Sequence, residues 1–203
     1  MHRMTKSLLI IAVLIFIFPG LSSAEVKIGD PAPDFTLTDS DQQQRSLSGF
    51  QGKYIVLEWF NLQCPFVRKH YDSENMQKLQ GKYTAQDVVW LSINSSAEGN
   101  QGYLLPEDAK RFIEDKNVRS TAVLLDPQGN VGKMYGAKTT PHMFIIDPEG
   151  NLIYQGAIDD KPSTDPEDLA TAKNYVDDTL SSALAGQPVS PFSTKSYGCS
   201  VKY

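Results

Sequence analysis

Tyr54-Ile55-Val56-Leu57-Glu58-Trp59-Phe60, followed by Asn61-Leu62-Gln63-Cys64-Pro65-Phe66-Val67, is the stretch that decides the fold. Its first half is nearly all apolar and rich in strand formers, as a strand buried on both faces must be. Glu58 is the exception within it. The polar turn at Asn61 to Gln63 ends the strand. From Cys64 the apolar spacing turns helical through about Leu79, with Gly81 as the stop. Cys64 therefore stands at a helix start. A thiol there faces unpaired backbone N–H groups and the positive end of the helix dipole, and both favour thiolate. Pro65 suits the first helical turn, and Arg68, Lys69 and His70 add positive charge one to two turns on. The plainer alternative is a cysteine that only packs.

Around this stretch the chain has 203 residues, 40% hydrophobic and 21% charged, which suits one domain with a full core. Its opening segment reads differently. His2, Arg3 and Lys6 make a basic start, and Leu8 to Phe18 is an apolar run too short to span a bilayer comfortably. Ser22-Ser23-Ala24 offers small residues for cleavage. Residues 1–24 are thus expected to be a cleaved secretory signal peptide, with an uncleaved anchor as the alternative. The mature chain is expected to be periplasmic or secreted, with no membrane attachment. Cleavage removes two cations, Arg3 and Lys6, and no acid, taking the formal charge from −5 to −7. An acidic domain without a basic run argues against nucleic acid as a partner. Outside the cytoplasm a disulfide can persist, so the two cysteines, Cys64 and Cys199, can pair, permanently or transiently.

Upstream of the strand, Pro31 and Pro33 force extended backbone, and Phe35 and Leu37 alternate with Thr36 and Thr38. A second short strand is expected after the turn at Asp39-Ser40-Asp41. Downstream, Val88 to Ile93 is the next buried strand, and Pro106 opens a helix with Ala109, Phe112 and Ile113 on one face. Ala122 to Leu125 is a strand closed by Asp126-Pro127-Gln128-Gly129, and Val131 to Tyr135 is one helical turn. Thr139-Thr140-Pro141-His142 leads into a strand from Met143 to Ile146, which forms a hairpin with Leu152 to Ala157. The acidic stretch from Asp159 to Asp168 reads as a solvated loop. Pro166 is expected to open the last helix, with Leu169, Ala172, Val176, Leu180, Ala183 and Leu184 at helical spacing and Gly186 at its end. The order hairpin, β, α, β, α, β, β-hairpin, α defines an α/β sheet of mixed direction with helices on both faces. The boundaries drawn from it are 25–186 for the α/β domain and 187–203 for a C-terminal tail, expected to be mobile, that carries Cys199.

This layout resembles the thioredoxin-like fold, a three-layer α/β/α sandwich with a mixed sheet, here with an N-terminal β-hairpin extension. More narrowly it resembles the redoxin group containing the alkyl hydroperoxide reductase/thiol-specific antioxidant (AhpC/TSA) family. Gly29-Asp30-Pro31-Ala32-Pro33-Asp34-Phe35 with Leu37 is similar to that group's opening signature. Cys64 falls at its nucleophilic cysteine, Thr140-Pro141 at its cis-proline loop, and Glu58 at the buried acid that assists proton transfer in thioredoxins. Cys64-Pro65-Phe66-Val67, Ile93-Asn94-Ser95-Ser96 and Gly198-Cys199-Ser200-Val201-Lys202-Tyr203 resemble a peroxiredoxin-like branch. The departures are specific. Val67 stands where thioredoxins carry a second cysteine, and Leu57 and Asn61 replace the Pro and Thr of the peroxiredoxin signature. Thr140-Pro141 also occupies the place where the peroxide-polarising arginine is expected.

The resemblance implies a thiol-dependent oxidoreductase of peroxiredoxin-like type. Cys64 is its nucleophile, and Cys199 is the one internal candidate to resolve the intermediate. Glu58 would move protons after desolvation raises its pKa, with an ordinary partner such as Lys53 as the alternative. Thr140, Pro141 and His142 would line the substrate groove. The substrate is a peroxide or a protein disulfide, the reductant an external thiol, and no bound cofactor is implied. Nothing in the sequence sets an oligomeric state. Two other readings stay open. One is a non-catalytic binding module stapled by a permanent Cys64–Cys199 bridge, or by Cys199 linking two chains. The other is copper handling by Cys64, His70, His142 and Met143, weakened because Arg68 stands where redoxin-fold copper chaperones resemble one another in a second cysteine.

Overall fold

A computed structural model describes residues 25–203; the expected signal peptide lies outside the described residues. The stretch from Ile55 to Trp59 forms the central strand β3, and every residue in it is buried. Earlier in the chain, β1 (Thr36–Asp39) and β2 (Gln44–Ser46) make the N-terminal hairpin. The other sheet strands are β4 (Val89–Asn94), β5 (Ala122–Leu125), β7 (His142–Ile146), β8 (Leu152–Gly156) and β9 (Phe192–Ser193). They lie in the order β2-β1-β5-β4-β3-β7-β8-β9. β3 runs parallel to β4 and antiparallel to β7, pairing Glu58 with Ser92 on one side and with Met143 on the other. A separate two-stranded ladder joins β6 (Thr139–Thr140) to β10 (Cys199–Ser200).

The strict alternation of side chains along β3 splits the core in two. Val56 and Phe60 face the layer built from α1 (Pro65–Asp72), α2 (Asn75–Thr84), α3 (Pro106–Asp115) and α5 (Tyr175–Leu184), where Val67, Met76, Phe112 and Leu180 meet them. Leu57 and Trp59 face the opposite layer, with Val131 and Tyr135 of α4 (Asn130–Tyr135) and Phe35 from the N-terminal segment. The result is the three-layer α/β/α sandwich with a mixed sheet expected of a thioredoxin-like fold.

Four local expectations are corrected. The helix expected from Cys64 to Leu79 is two helices, broken at Ser73 and Glu74, where Glu74 has φ 60°. The break is built by side chains: Ser73 Oγ donates to Lys69 O at 2.6 Å and Gln77 Nε2 donates to Tyr71 O at 2.9 Å. Gly81 is not a stop but an interior residue of α2, against which the Arg119 side chain packs. Pro166 opens only a 3-10 turn, Pro166–Ala170, and α5 starts afresh at Tyr175, capped by Asn174 Oδ1 accepting the Asp177 N–H at 2.9 Å. Finally, the tail is not a loose end. After Gly186 it adds β9 beside β8, then β10 beside β6, and its last residues are tied down.

Candidate active site

Asn61 shapes the approach to Cys64. Its Oδ1 accepts the Gln63 N–H at 2.8 Å and its Nδ2 donates to Gln101 O at 3.0 Å. The polar side chain thus holds a turn and is 1% exposed. Cys64 follows as the N-cap of α1, in extended backbone, with Pro65 in the first turn. Its carbonyl accepts the Arg68 N–H at 2.9 Å, which starts the helix. Its Sγ points back to the Thr140-Pro141 loop, 3.0 Å from Thr140 O, and Thr140-Pro141 is a cis peptide bond. The loop is therefore adjacent to the cysteine, as the resemblance implied.

Cys199 completes the arrangement. β10 pairs Cys199 with Thr140, the residue whose carbonyl accepts the Cys64 thiol at 3.0 Å, so both cysteines border the same residue and Cys199 packs against the buried cluster that holds Cys64. Burial by itself would raise the Cys64 thiol, but hydrogen bonds from the Cys199 thiol and from the Cys199 and Val67 backbone outweigh it, and its pKa lies below the usual 9.0. Cys199 moves the other way. Burial, and then the neighbouring Cys64 sulfur, push it up to about 11. Both thiols are free, Cys64 at 1% exposure and Cys199 partly exposed.

The positive charges expected around Cys64 do not converge on it. Arg68 faces solvent. Lys69 is buried, its Nζ donating to Lys161 O at 3.0 Å and standing 4.0 Å from Asp159 Oδ2. Burial, and then the Lys69 charge, hold His70 down at about 3, so its ring is neutral. The low pKa of Cys64 thus comes from hydrogen bonds and the helix start.

Glu58 is 0% exposed and does not reach Lys53, which pairs with Asp87. Its Oε1 accepts from Tyr71 Oη at 2.6 Å, and its Oε2 from Trp90 Nε1, Ser92 Oγ and Gln80 Nε2 at 2.8, 3.0 and 3.1 Å. Burial raises its pKa, and these hydrogen bonds offset only part of the rise. Tyr71 also lines a cavity of about 610 Å³ with Val67 and Phe112, beside the turn that carries Cys64. His142 corrects the groove expectation. It is 3% exposed, with its ring against Phe144 and its Nδ1 accepting the Lys138 N–H at 3.2 Å. The inward-pointing phase of β7 takes its side chain into the core. Among the described residues no group of three or more His, Cys, Asp or Glu could hold a metal ion.

Two aromatic anchors were not read from the sequence. Tyr197 Oη donates to Asp159 Oδ1 at 2.5 Å and lies 3.4 Å from His70 Nε2, while its ring meets Phe66. Asp159, placed in a solvated loop by its acidic neighbours, is instead 2% exposed. At the chain end, Tyr203 Oη donates to Ala137 O at 2.7 Å and its ring lies over Gly129 and Gly132. A Cβ at Gly132 would come within 2.5 Å of that ring's oxygen, so the cradle needs glycine there. The segment 197–203 is thus a strap pinned at both ends, with Cys199 between the pins. Aromatic residues flanking Gly-Cys were the available signal.

The AhpC/TSA family pattern matches residues 28–155, well over half the chain, and the chain belongs to that family. It is 28% identical over 146 residues to the thiol-disulfide oxidoreductase ResA of Bacillus cereus, covering 71% of this chain and 79% of that one. It is 30% identical over 148 residues to sll0755 of Synechocystis, named as a candidate peroxiredoxin, covering 64% and 68%. An uncharacterised conserved protein from Geobacillus kaustophilus has a solved structure that matches with a TM-score of 0.73 at 27% identity, over 87% of this chain and 92% of that one. The family match ends before α5 and the strap.

Proposed function

We propose that this thiol oxidoreductase of the AhpC/TSA family is exported and exchanges electrons with disulfides through the couple Cys64 and Cys199. The observation that carries the reading is that Cys199, on the pinned strap, pairs in register with Thr140, whose carbonyl accepts the helix-start Cys64 thiol at 3.0 Å. The pair substitutes for the missing local dithiol, since Val67 is the residue three after Cys64. In the oxidising half, Cys64 thiolate attacks one sulfur of a substrate disulfide, and the first substrate thiolate leaves. Cys199 then gives up its proton and attacks the Cys64 sulfur, forming the internal disulfide and releasing the second thiolate. The substrate has gained two electrons and the pair has lost two. An external thiol returns them.

A disulfide substrate is favoured over peroxide. Asn61, at the place of the peroxiredoxin threonine, is spent on holding its own turn, and Thr140 O rather than an arginine faces Cys64. The name of the Bacillus cereus relative agrees with this choice. Thr140 and Pro141 shape the edge that an extended substrate would meet, and Glu58 with Tyr71 forms a buried proton reserve. Export rests on the basic, apolar and small-residue succession of residues 1–24.

The test is intact-mass and peptide analysis of the mature protein after one equivalent of a model disulfide. Loss of two hydrogens with a linked Cys64–Cys199 peptide pair is expected, and so is the loss of substrate reduction in Cys64→Ser. Full disulfide reduction by Cys64→Ser would sink the reading.

A further inference from the structure

We propose that the strap is a lid on its own active site: residues 197–201 occupy the backbone edge at Thr139–Thr140 on which an extended, cysteine-bearing peptide docks, and they lift before Cys64 meets a substrate. The proposal rests on the reading of Cys64 as the nucleophile and says when that nucleophile is reachable. Its first ground is that the edge is taken. β6 has β10 as its ladder partner, with Cys199 opposite Thr140 and Ser200 opposite Thr139. The Val201 N–H extends the pairing to Lys138 O at 3.1 Å. The strap thereby shows what the edge accepts: an extended chain whose cysteine stands opposite the residue that Cys64 Sγ touches. A substrate peptide that pairs there displaces the strap, because one edge takes one added strand.

The second ground is burial. With the strap seated, Cys64 is 1% exposed and Thr140 2%. Strap residues meet both neighbours of the thiol. Tyr197 sets its ring against Phe66, two residues after Cys64, and β10 lies along Thr140. A mixed disulfide at Cys64 needs room for a second sulfur and the chain behind it, and the closed arrangement leaves none at the surface.

The third ground is how lightly the strap is held. Just before it, Thr194 is fixed to the end of β8. Its N–H donates to Gln155 O at 3.0 Å, and its Oγ1 accepts the Ala157 N–H at 3.0 Å. Lys195 is then exposed, and Gly198 has φ 124°. Beyond that point a two-residue ladder and the hydroxyls of Tyr197 and Tyr203 hold the strap. A segment with so few bonds opens at a small fraction of the global stability. Residues 195–203 can therefore lift while β9 stays in the sheet.

Closure then completes the exchange. Cys64 thiolate has taken one sulfur of the substrate disulfide, and the other has left as thiolate. The returning strap competes with the bound peptide for β6. Cys199, its proton given to solvent, forms the bond to Cys64 Sγ. The bond from Cys64 to the peptide breaks, and the peptide leaves as thiolate with the electron pair. The edge and the sulfur are vacated in one movement.

The experiment uses the full-length mature Cys199→Ser protein, in which Cys64 is the sole cysteine, and the same chain with Tyr197→Phe, Tyr203→Phe or Gly198→Ala added. The probe is a short unstructured peptide whose cysteine is disulfide-linked to nitrothiobenzoate, so each exchange at Cys64 releases a coloured thiolate. The rate is expected to rise at least about tenfold when a pin or the ladder is weakened, with hydrogen exchange raised in residues 195–203 alone. Rates within about twofold of Cys199→Ser in all three variants overturn the proposal. Faster exchange through β3 and α1 as well would assign the gain to general loosening and also overturn it. A second probe is N-methylated at the amide two residues beyond its cysteine, the position that Val201 holds in the strap. It is expected to react about threefold or more slowly than the plain peptide with the folded protein, and equally in urea. Equal folded rates overturn docking on β6. If opening the strap speeds Cys64 while the parent with both cysteines forms no internal bridge, the redox-couple reading fails and the lid stands. A bridge that forms beside unchanged Cys64 rates keeps the couple and removes the lid.

Discussion

Gly198→Ala should release Cys199 from Cys64 without unfolding the domain. Gly198 has φ 124°, a region that side-chain-bearing residues rarely adopt. A Cβ there would lie 2.0 Å from Thr140 O and 2.8 Å from Thr140 C, both backbone atoms next to the cis bond. Neither can step aside, because Thr140 is 2% exposed and Pro141 follows it. Holding a non-glycine residue in such backbone costs about 1–3 kcal/mol. The ladder that resists it joins only Cys199–Ser200 to Thr139–Thr140, and each of its hydrogen bonds contributes about 1 kcal/mol net. The cost therefore matches what holds the ladder, and the strap opens between its two tyrosine anchors. At about 1.4 kcal/mol per decade, the docked population falls roughly 10- to 100-fold. Alkylation of Cys64 by N-ethylmaleimide, followed by peptide mapping, reads that change directly. Its rate should rise by the same factor, and the equilibrium fraction of internal bridge in a glutathione redox buffer should fall. Thermal unfolding should stay close to that of the parent, since the sheet and both cores are untouched. A Gly198→Ala protein whose Cys64 stayed protected to within about twofold of the parent would refute the reasoning.

Glu58→Ala should destabilise by about 3 kcal/mol or more in denaturant titrations, because it strands buried donors from Trp90, Ser92 and Tyr71 or Gln80, the last two able to bond each other at 3.1 Å. Glu58→Gln should instead change the pH dependence. The folded pKa is raised above 4.5, so the stabilisation from its protonation is complete below that value and is lost as pH rises through the folded pKa. Gln has no such slope, so a Glu58→Gln chain that titrated in parallel with the parent would contradict the raised pKa. Tyr197→Phe removes the hydrogen bond to the buried carboxylate of Asp159, worth about 1.5–3 kcal/mol, and should raise hydrogen exchange in residues 197–201 ahead of the rest of the tail. Unchanged exchange there would mean that Tyr197 does not pin the strap. Cys199→Ala removes a hydrogen bond that lowers the Cys64 pKa, so the midpoint of Cys64 thiolate absorbance should move upward, and a midpoint that fell would assign the low pKa to some other cause.

The fold was legible because its signals are local and redundant. The apolar run through β3, the proline that opens α3 and the turn between β7 and β8 each follow from a few adjacent residues. So did the position of Cys64 at a helix start, whereas the placement of Thr140-Pro141 beside it came from the family resemblance. What was not legible depends on partners distant in sequence. Asp159 sits among acids that read as solvated, yet Lys69, His70 and Tyr197 draw it into the interior. His142 precedes a strand by every local cue and sits beside Pro141, but the phase of β7 turns its ring inward. The break between α1 and α2 comes from Ser73 and Gln77 bonding to backbone carbonyls, which the apolar spacing passes over. The tail was misjudged for the same reason. Its prolines and polar residues read as mobile, while the surfaces that hold it are contributed by Ala137, Gly132 and Asp159.

A redox pair closed through a strap differs physically from two cysteines on one helical turn. In a local dithiol the loop is short, and the unfolded chain closes it almost as readily as the folded one. Here the loop would contain about 135 residues, and by the chain-entropy relation such a bridge constrains the unfolded chain by about 5 kcal/mol. By linkage, the fold favours the disulfide by as much as the disulfide favours the fold. That contribution would make the pair more reducing, about 100 mV at 30 mV per 1.4 kcal/mol. The hydrogen bonds that lower the Cys64 pKa act in the other direction, because they stabilise the reduced form. The two effects lie in different parts of the molecule, one in the anchorage of Tyr197 and Tyr203 and one in the groups around the Cys64 sulfur. A long-range pair can therefore be tuned at its anchors without touching either cysteine. In the proposed couple the helix-start stretch from Asn61 to Val67 provides only one half, and the strap provides the other.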